Sequence, residues 1–439
     1  MTTLHDRLAD LAEDAPAARA APGLWERGVG YRRRRRVGTA VVLAVAAVAL
    51  VVLGSATWLR SPQAVEPLPA GSPVSMPDRL FTPSPWLPGT DDAGPLGTIA
   101  ALIPADRGTW TGTKEQQVVG VSATTGEYRF VDLPGLAPYT GASKSFALSP
   151  DGKYVAYLYR DDRSEDPGTA ATGLALYDAT TGEARRHALP GSRGIRGDEL
   201  IWAGDDTVVL SYGSITDDSG SASVGQPLEA WNVNVDAPQT LPSSGLVSQI
   251  RGSGPGFVVV YGRHADRVLD VGTGVVLRTL AHISEGMTEP FFDRDANRFA
   301  IVQGNRIPNL MSVGTVGATV ADQPTYERVP NSERSFAAYA WIDDDHLALL
   351  QRKGAVKDTL DVVVNSVDIR TGQVQSLVSF DGPDVGFDRQ LATDLLARPT
   401  ADAVQPPRPL DPRMVTGGGV TIVLAAIWAM IAWRRRVRP

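Results

Sequence analysis

The chain has 439 residues and a formal net charge of −7, with 43% hydrophobic and 21% charged residues. These proportions are ordinary for a folded protein, so they exclude a wholly disordered chain, and the length suits two or three domains or one large β domain. No cysteine is present. This excludes disulfide bonds, thiolate metal sites, cysteine nucleophiles and a lipid anchor on cysteine.

Charge is spread unevenly along the chain. Residues 1–36 hold eight arginines and five acidic residues, and residues 434–439 hold four arginines, so the residues in between carry a net charge of −14. Two uncharged apolar runs border this acidic part, one of 23 residues at 37–59 and one of 19 residues at 415–433. A 23-residue helix spans about 34 Å, enough to cross a ~30 Å hydrocarbon core, and both runs predict transmembrane helices.

Arginines directly beside the two runs predict the topology. By the positive-inside rule, they place residues 1–36 and 434–439 in the cytoplasm and residues 60–414 outside the plasma membrane. Nucleic-acid binding is the alternative for the first arginine run, but its position against an apolar run favours topology, and no nucleic-acid partner is predicted. The topology-determining residues are Arg32, Arg33, Arg34, Arg35, Arg36, Arg434, Arg435, Arg436 and Arg438.

Both apolar runs have an alternative interpretation. The first has a small-residue stretch at Gly54, Ser55 and Ala56 that suits signal-peptide cleavage, although 36 residues before an apolar run is long for a signal peptide. The second, followed by arginines, resembles the tail of proteins that sortases attach to the cell wall. The Leu-Pro-x-Thr-Gly motif of such tails is missing just before it. Two retained helices are therefore the preferred prediction.

The cytoplasmic head contains one helical pattern. Leu4, Leu8 and Leu11 recur at the spacing of one helix face, with charged residues on the other faces. The pattern predicts a short amphipathic helix that docks to a cytoplasmic protein or to the inner leaflet. Because about twelve residues form only a marginal helix in isolation, an unstructured tail is the alternative.

The exterior part divides by composition. Residues 60–95 and 397–414 are rich in proline and are predicted to be extended linkers. Residues 96–396 are rich in Val, Gly, Thr and Asp, with short apolar runs and frequent turn residues. This pattern indicates an all-β domain.

Two kinds of hairpin turn alternate through residues 96–396. Ala-Thr-Thr-Gly-Glu at residues 123–127 recurs at residues 179–183, and weaker copies lie at 270–274 and 368–372. In each copy an apolar strand precedes the turn, and glycine supplies the positive φ that a tight turn requires. The second kind is Ser-Pro-Asp-Gly at residues 149–152, with relatives at residues 201–210, 254–260, 292–301 and 340–349.

One hairpin of each kind makes four strands in about 40–55 residues, which is the size of a propeller blade. The sequence predicts six blades, with five or seven as alternatives, and a closing strand from residues 380–396 or 79–103. The predicted blades lie near residues 97–134, 145–190, 199–242, 248–280, 290–330 and 336–378.

The second blade carries a resemblance to known repeats. The residues that resemble the TolB-like and WD40-like propeller repeat are Ser149, Pro150, Asp151, Gly152, Asp178, Thr181 and Gly182. Most other blades lack Ser-Pro-Asp-Gly. The layout of head, arginine run, span and propeller resembles membrane-anchored propeller proteins common in actinobacteria. The resemblance implies a β-propeller in which these residues form structural turns, and it implies no settled activity.

Signals for catalysis are weak. The five histidines are scattered, and no nucleophile elbow, zinc-binding helix or phosphate loop is found. Residues 293–297 resemble the start of a calcium loop, but Arg298 and Gly304 stand where that loop needs glycine and glutamate. No catalytic residue, metal site or cofactor is predicted.

Two further features bear on binding. Trp202 and Trp341 take matching places in their blades and predict core packing, with a binding surface as the alternative. Residues 160–172 and 213–227 are polar insertions that follow the second strand of a blade, so they are predicted to emerge on one face. Such loops often carry recognition.

Together these patterns predict a non-catalytic, membrane-anchored propeller outside the cell that binds a protein or an envelope polymer as a scaffold or sensor. An envelope hydrolase or lyase that uses the central channel is one alternative. An anti-sigma-like transmembrane regulator is the second.

Overall fold

The computed structural model describes most of residues 73–409. The described residues are 73–409 without 138–144, 162–170, 218–221, 243–248, 263, 284–289, 304–309, 318, 354–361 and 382–388, together with Ala9, Glu13, 411–414, Trp428 and Ile431. The chain divides into two compact units, one of Met1–Ala64 with Leu410–Pro439 and one of Val65–Pro409.

Within the described residues, no helix is long and apolar enough to span a membrane. The predicted spans at 37–59 and 415–433 lie outside those residues, apart from Trp428 and Ile431. The leucines of the head helix and the topology-determining arginines also lie outside them. The membrane topology therefore stays a prediction.

The second unit is built almost entirely from strands. Its helical elements are α1 (Thr90–Ala93) and a 3-10 helix (Thr393–Ala397). Its strands are β1 (Arg79–Leu80), β2 (Ile99–Gly108), β3 (Lys114–Ser122), β4 (Tyr128–Val131), β5 (Phe146–Leu148), β6 (Tyr154–Tyr159), β7 (Gly173–Asp178), β8 (Ala184–Ala188), β9 (Ile195–Trp202), β10 (Thr207–Ile215), β11 (Ser223–Gly225), β12 (Glu229–Asn232), β13 (Gln239–Thr240), β14 (Ile250–Gly254), β15 (Phe257–Val260), β16 (Asp266–Asp270), β17 (Val276–Leu280), β18 (Phe291–Phe292), β19 (Arg298–Gln303), β20 (Leu310–Thr315), β21 (Thr325–Arg328), β22 (Ser335–Trp341), β23 (His346–Arg352), β24 (Val362–Asp368), β25 (Val374–Phe380) and β26 (Gln390–Leu391).

Six sheets of four or five strands follow one another along the chain, and all are antiparallel except for the parallel strand β1 in the last. The sheets are β2–β4 with β26, β5–β8, β9–β13, β14–β17, β18–β21 and β22–β25 with β1. The inner strands β26, β5, β9, β14, β18 and β22 contact each other in that order, and β22 contacts the 3-10 helix that follows β26. This arrangement is a six-bladed β-propeller, which confirms the predicted all-β propeller and its blade number.

Both ends of the unit take part in closing the ring. At the C-terminal end, β26 is the inner strand of the first blade, with Leu391 opposite Ala101 of β2. At the N-terminal end, β1 adds a parallel strand to the outer edge of the sixth blade, with Leu80 opposite Phe380. Both predicted closing segments, residues 79–103 and 380–396, therefore contribute a closing strand.

Parts of the proline-rich segments pack against the propeller, although their composition predicts linkers. The sequence predicts linkers at 60–95 and 397–414, whereas Met76 and Leu80 are fully buried and Ala401 N–H donates to the Met76 carbonyl at 2.9 Å. The helix α1 also lies within the first segment. Met76 and Leu80 belong to a hydrophobic cluster with residues of the first, second and sixth blades, so these parts do not act as free linkers.

The two predicted core tryptophans join neighbouring blades. Trp202 is 6% exposed, and its Nε1–H donates to the Ala147 carbonyl of the preceding inner strand at 3.0 Å. Trp341, half-buried, makes the same bond to the Phe291 carbonyl at 3.2 Å. The core-packing prediction is confirmed, and the matching positions reflect one repeated interblade contact.

The side-chain amide of Gln390 joins the first and second blades. Gln390 donates from Nε2 to the Phe146 carbonyl at 2.6 Å and accepts the Leu148 N–H on Oε1 at 2.6 Å.

We expect Gln390→Ala to lower the free energy of unfolding by about 2 kcal/mol, because two backbone groups of β5 lose their partner. Urea unfolding of the full chain in detergent measures this change.

Gln375→Ala, at an exposed position of β25, is the control for loss of a glutamine and should change stability by less than about 0.5 kcal/mol. Equal effects of the two substitutions would contradict a role of Gln390 in ring closure.

Candidate functional site

The propeller has two faces that differ in their connections. Because successive strands of a blade run in opposite directions, first-to-second and third-to-fourth connections emerge on one side, here called the turn face. Second-to-third connections and the connections between blades emerge on the other side, here called the loop face. The two faces are described in turn.

The Ser-Pro-Asp-Gly turn lies on the turn face. Ser149 Oγ donates to Asp151 Oδ1 at 2.7 Å and accepts the Tyr154 N–H at 2.9 Å. Asp151 also accepts the Lys153 N–H at 3.0 Å. Gly152 has a φ of +77°, which explains the glycine at this position. The polar atoms of this motif are engaged in holding the turn.

The Asp-x-x-Thr-Gly turn is built in a similar way. Asp178 Oδ1 accepts the N–H of Thr180 at 2.8 Å and that of Thr181 at 3.3 Å. Gly182 follows with a φ of +80°. The same carboxylate contact recurs at Asp270 and Asp368. These side chains are therefore local turn formers on the turn face.

The segment that resembles a calcium loop is also a hairpin turn of this face. Asp293 Oδ1 accepts the N–H groups of Asn297 and Arg298 at 2.8 and 3.1 Å. Its Oδ2 accepts a bond from Arg298 Nε at 3.1 Å. The Asp293 carboxylate is thus paired with the Arg298 guanidinium. Across the part of the chain that the structure describes, no group of three or more His, Asp or Glu side chains is placed to hold a metal ion.

One group of turn carboxylates lies where three blades meet. Asp205, in the first turn of the third blade, faces Asp394 of the 3-10 helix and Asp151 of the second blade. The Asp394 N–H donates to the Pro150 carbonyl at 3.1 Å, which holds the helix against the second blade. Desolvation, followed by the charges of Asp394 and Asp151, raises the pKa of Asp205 to about 6.

This raised pKa predicts a pH-dependent stability. The folded state holds a proton on Asp205 more tightly than the unfolded state, whose pKa is near 3.8. Its stabilising contribution is therefore present below pH 3.8 and is lost as the pH rises through about 6. We expect Asp205→Asn to stabilise the chain at pH 7, by no more than about 1 kcal/mol because the side chain is exposed and screened, and to leave stability unchanged near pH 4.

Melting temperatures measured across this pH range test the effect. Asp394→Asn should also stabilise at pH 7, since it removes one of the charges that act on Asp205. Asp344→Asn, in the matching turn of the sixth blade, is the control for removal of one exposed carboxylate. Parallel pH curves for wild type and Asp205→Asn would contradict the assignment.

The loop face carries a projecting hairpin at the first blade. β2 and β3 pair over their whole length, from Ile99 opposite Ser122 to Gly108 opposite Lys114. The outer half of β3 is mostly exposed, and that of β2 is mostly half-buried. At the tip, Trp110 is 66% exposed. A tryptophan this exposed is unusual in a folded domain, and tryptophan is enriched among residues that dominate protein interfaces.

The tip of this hairpin is held in one shape. The hydroxyls of Thr109, Thr111 and Thr113 form a closed triangle of hydrogen bonds of 2.7–2.9 Å. At Gly108, an added Cβ would lie 2.7 Å from the ring of Trp86, so that ring packs directly on the hairpin backbone. Trp110 is therefore presented on an ordered turn.

A residue close to the tip ties the hairpin to the rest of the blade. Arg107 Nη1 contacts Asp132 Oδ1 at 2.6 Å, and its guanidinium lies 5.3 Å from the centre of the Phe130 ring. Asp132 Oδ2 in turn accepts the Asp91 N–H of α1 at 2.9 Å. The N-terminal segment and the hairpin are thus joined through one carboxylate.

A second hairpin projects from the loop face at the third blade. The sequence predicts a polar loop at residues 213–227, but Ser214 pairs with Val224 in a ladder of β10 and β11. β11 and β12 share one edge of β10, so the third strand of this blade is interrupted and the hairpin continues beyond it. Val224, on β11, is 52% exposed.

The other insertion, residues 160–172, follows the second strand of its blade as predicted and begins on the same face. Asp161 N–H donates to Thr172 Oγ1 at 2.9 Å, and residues 162–170 lie outside the described part.

The sequence offers a weak signal for Trp110, namely one tryptophan among threonines and a glycine. It offers none for the length of the hairpin beneath it.

Comparisons with known proteins add little beyond the fold. No protein-family model and no curated protein matches the chain. Solved structures that it resembles include a putative TolB from Agrobacterium tumefaciens, at 14% identity and a TM-score of 0.33, over 64% of this chain and 90% of that one. TolB from Acinetobacter baumannii is similar at 13% identity and a TM-score of 0.36, over 64% and 67% of the two chains.

A chain of a nidogen/laminin complex is similar at 12% identity and a TM-score of 0.34, over 64% of this chain and 94% of that one. At such identities and TM-scores these likenesses carry no argument. The assignment of a six-bladed propeller rests on the strand pairing.

Proposed function

We propose that this chain is a non-catalytic, membrane-anchored propeller that binds a protein or envelope ligand outside the cell through its loop face. The observation that carries the proposal is the ordered β2–β3 hairpin, which presents Trp110 to solvent. A large rigid aromatic side chain gives much contact area at a small entropic cost on binding.

The path of the chain ends supports this choice of face. Ser75 N–H donates to the Ala123 carbonyl at 3.0 Å, and Val404 packs on Gly126. Ala123 and Gly126 belong to the turn between β3 and β4, on the turn face. The described ends of this unit, at Ser75 and Val404, therefore lie at the turn face, on the side opposite to the Trp110 hairpin.

The absence of cysteine allows a direct test of the topology. We expect Thr111→Cys, at the exposed tip of the hairpin, to react with a membrane-impermeant maleimide in intact cells. Glu13→Cys, in the head, is also exposed and should react only after lysis. Labelling of the two variants in the reverse order would overturn the proposed orientation.

Site-specific photocrosslinking tests the binding face. A photoreactive amino acid in place of Trp110 should give a discrete crosslinked product in intact cells. The same amino acid in place of Leu277, which is 60% exposed on the outer strand β17, is the control for exposure. Equal product patterns at the two positions would contradict a specific role for the loop face.

Deletion of residues 2–31, which keeps the arginine run at residues 32–36, separates this proposal from the regulator alternative. A binding propeller keeps its Trp110 crosslink after this deletion, because the contact lies outside the membrane. Loss of the crosslink with normal membrane insertion would favour a partner that the cytoplasmic head recruits.

A further inference from the structure

Arg389 is a buried cation at the seam where the first and sixth blades meet. It directly precedes the closing strand β26 and is 5% exposed. Its guanidinium lies 4.9 Å from the centre of the Phe380 ring, at the end of β25, and its carbonyl accepts a bond from Tyr339 Oη of β22 at 3.2 Å. The first blade thus extends this side chain against the sixth blade.

The described part of the chain places no negative charge against this cation. Arg389 Nη1 is buried and has no hydrogen-bond partner there. Among the described groups, Tyr339 and Tyr128 are those whose charges act on Arg389, and phenols are uncharged near neutral pH. Burial lowers the pKa of the Arg389 guanidinium, as it does for a cation that leaves water without a carboxylate beside it.

Arg129 of the same blade shows how this fold satisfies a buried guanidinium. It is buried to a similar degree, at 7% exposure. Its Nη2 contacts the Glu127 carboxylate at 2.7 Å, and its Nη1 donates to the Ala93 and Gly94 carbonyls at 2.7 and 2.9 Å. The neighbour of Arg389 is instead an aromatic ring, which stabilises a cation without neutralising it.

A buried guanidinium without a counter-charge is costly, because it cannot give up its proton and its charge has left water. Arginine is rarely buried in proteins unless it is paired. Water could accept the Nη1 N–H but would leave the charge in place, whereas an anion neutralises it. The anion has to be small, since Arg389 and the Phe380 ring against it are both buried.

We propose that Arg389 binds a monatomic anion of the size of chloride in the seam between the first and sixth blades. The anion accepts the Nη1 N–H and neutralises the guanidinium, so it stabilises the closed ring beside the strand that completes it. The inference goes beyond the proposed function, because the site does not involve the Trp110 hairpin and stands whether or not that hairpin binds a partner.

Urea unfolding of the full chain in detergent tests the proposal, with sodium chloride exchanged for sodium gluconate at constant ionic strength. Gluconate is too large for the seam, and the constant ionic strength keeps general screening the same. The free energy of unfolding should rise with chloride, by about 1.4 kcal/mol for each tenfold increase above the dissociation constant. Bromide should act like chloride.

Arg389→Met removes the charge and keeps much of the length of the side chain. It should abolish the chloride dependence, and in gluconate it should be no less stable than the wild type, since an unpaired buried charge is lost. Arg129→Met is the control, because it removes an equally buried guanidinium whose partners belong to the protein. It should destabilise the chain in both salts and keep the chloride dependence.

Broadening of the chlorine NMR line provides a measurement that does not depend on unfolding. The wild type should broaden the line and added bromide should reverse the effect, whereas Arg389→Met should leave the line narrower than the wild type does. Equal stability of the wild type in chloride and gluconate would show that water, and no anion, meets the Nη1 N–H. The same chloride dependence in the wild type and in Arg389→Met would refute the site.

Discussion

The structure depends on closure of a ring whose inner strands each have one edge without a strand partner. Backbone groups on such an edge must find partners elsewhere, or their burial costs free energy. Side chains meet part of this need here. Gln390, Trp202, Ser253 and Trp341 each bond to the backbone of the preceding or following inner strand, so the blades are joined at the axis by directional contacts as well as by packing.

These interblade bonds compensate for chemistry that the chain lacks. With no cysteine, the ring cannot be closed by a disulfide bond. β1 and β26 instead add strands from opposite ends of the unit to the sixth and first blades. The N-terminal segment reinforces this closure, because Tyr128 Oη accepts the Phe81 N–H at 2.9 Å, and burial raises the pKa of Tyr128 to about 12.

The blade number could be predicted because its signals are local. Gly126, Gly182, Gly274 and Gly372 all have φ values between +69° and +80°, so each repeated turn needs a glycine that is visible in the sequence. The place of Met76 and Leu80 could not be predicted, since their burial depends on blades that lie hundreds of residues away.

The position of β26 also governs when the ring can form. Leu391 pairs with Ala101, so the first blade to be synthesised lacks its innermost strand until nearly the whole domain has been made. Closing so long a loop is slow, since contacts between distant segments form late in folding. A ribosome that stops anywhere before Gln390 therefore releases a chain with the same defect, an open first blade.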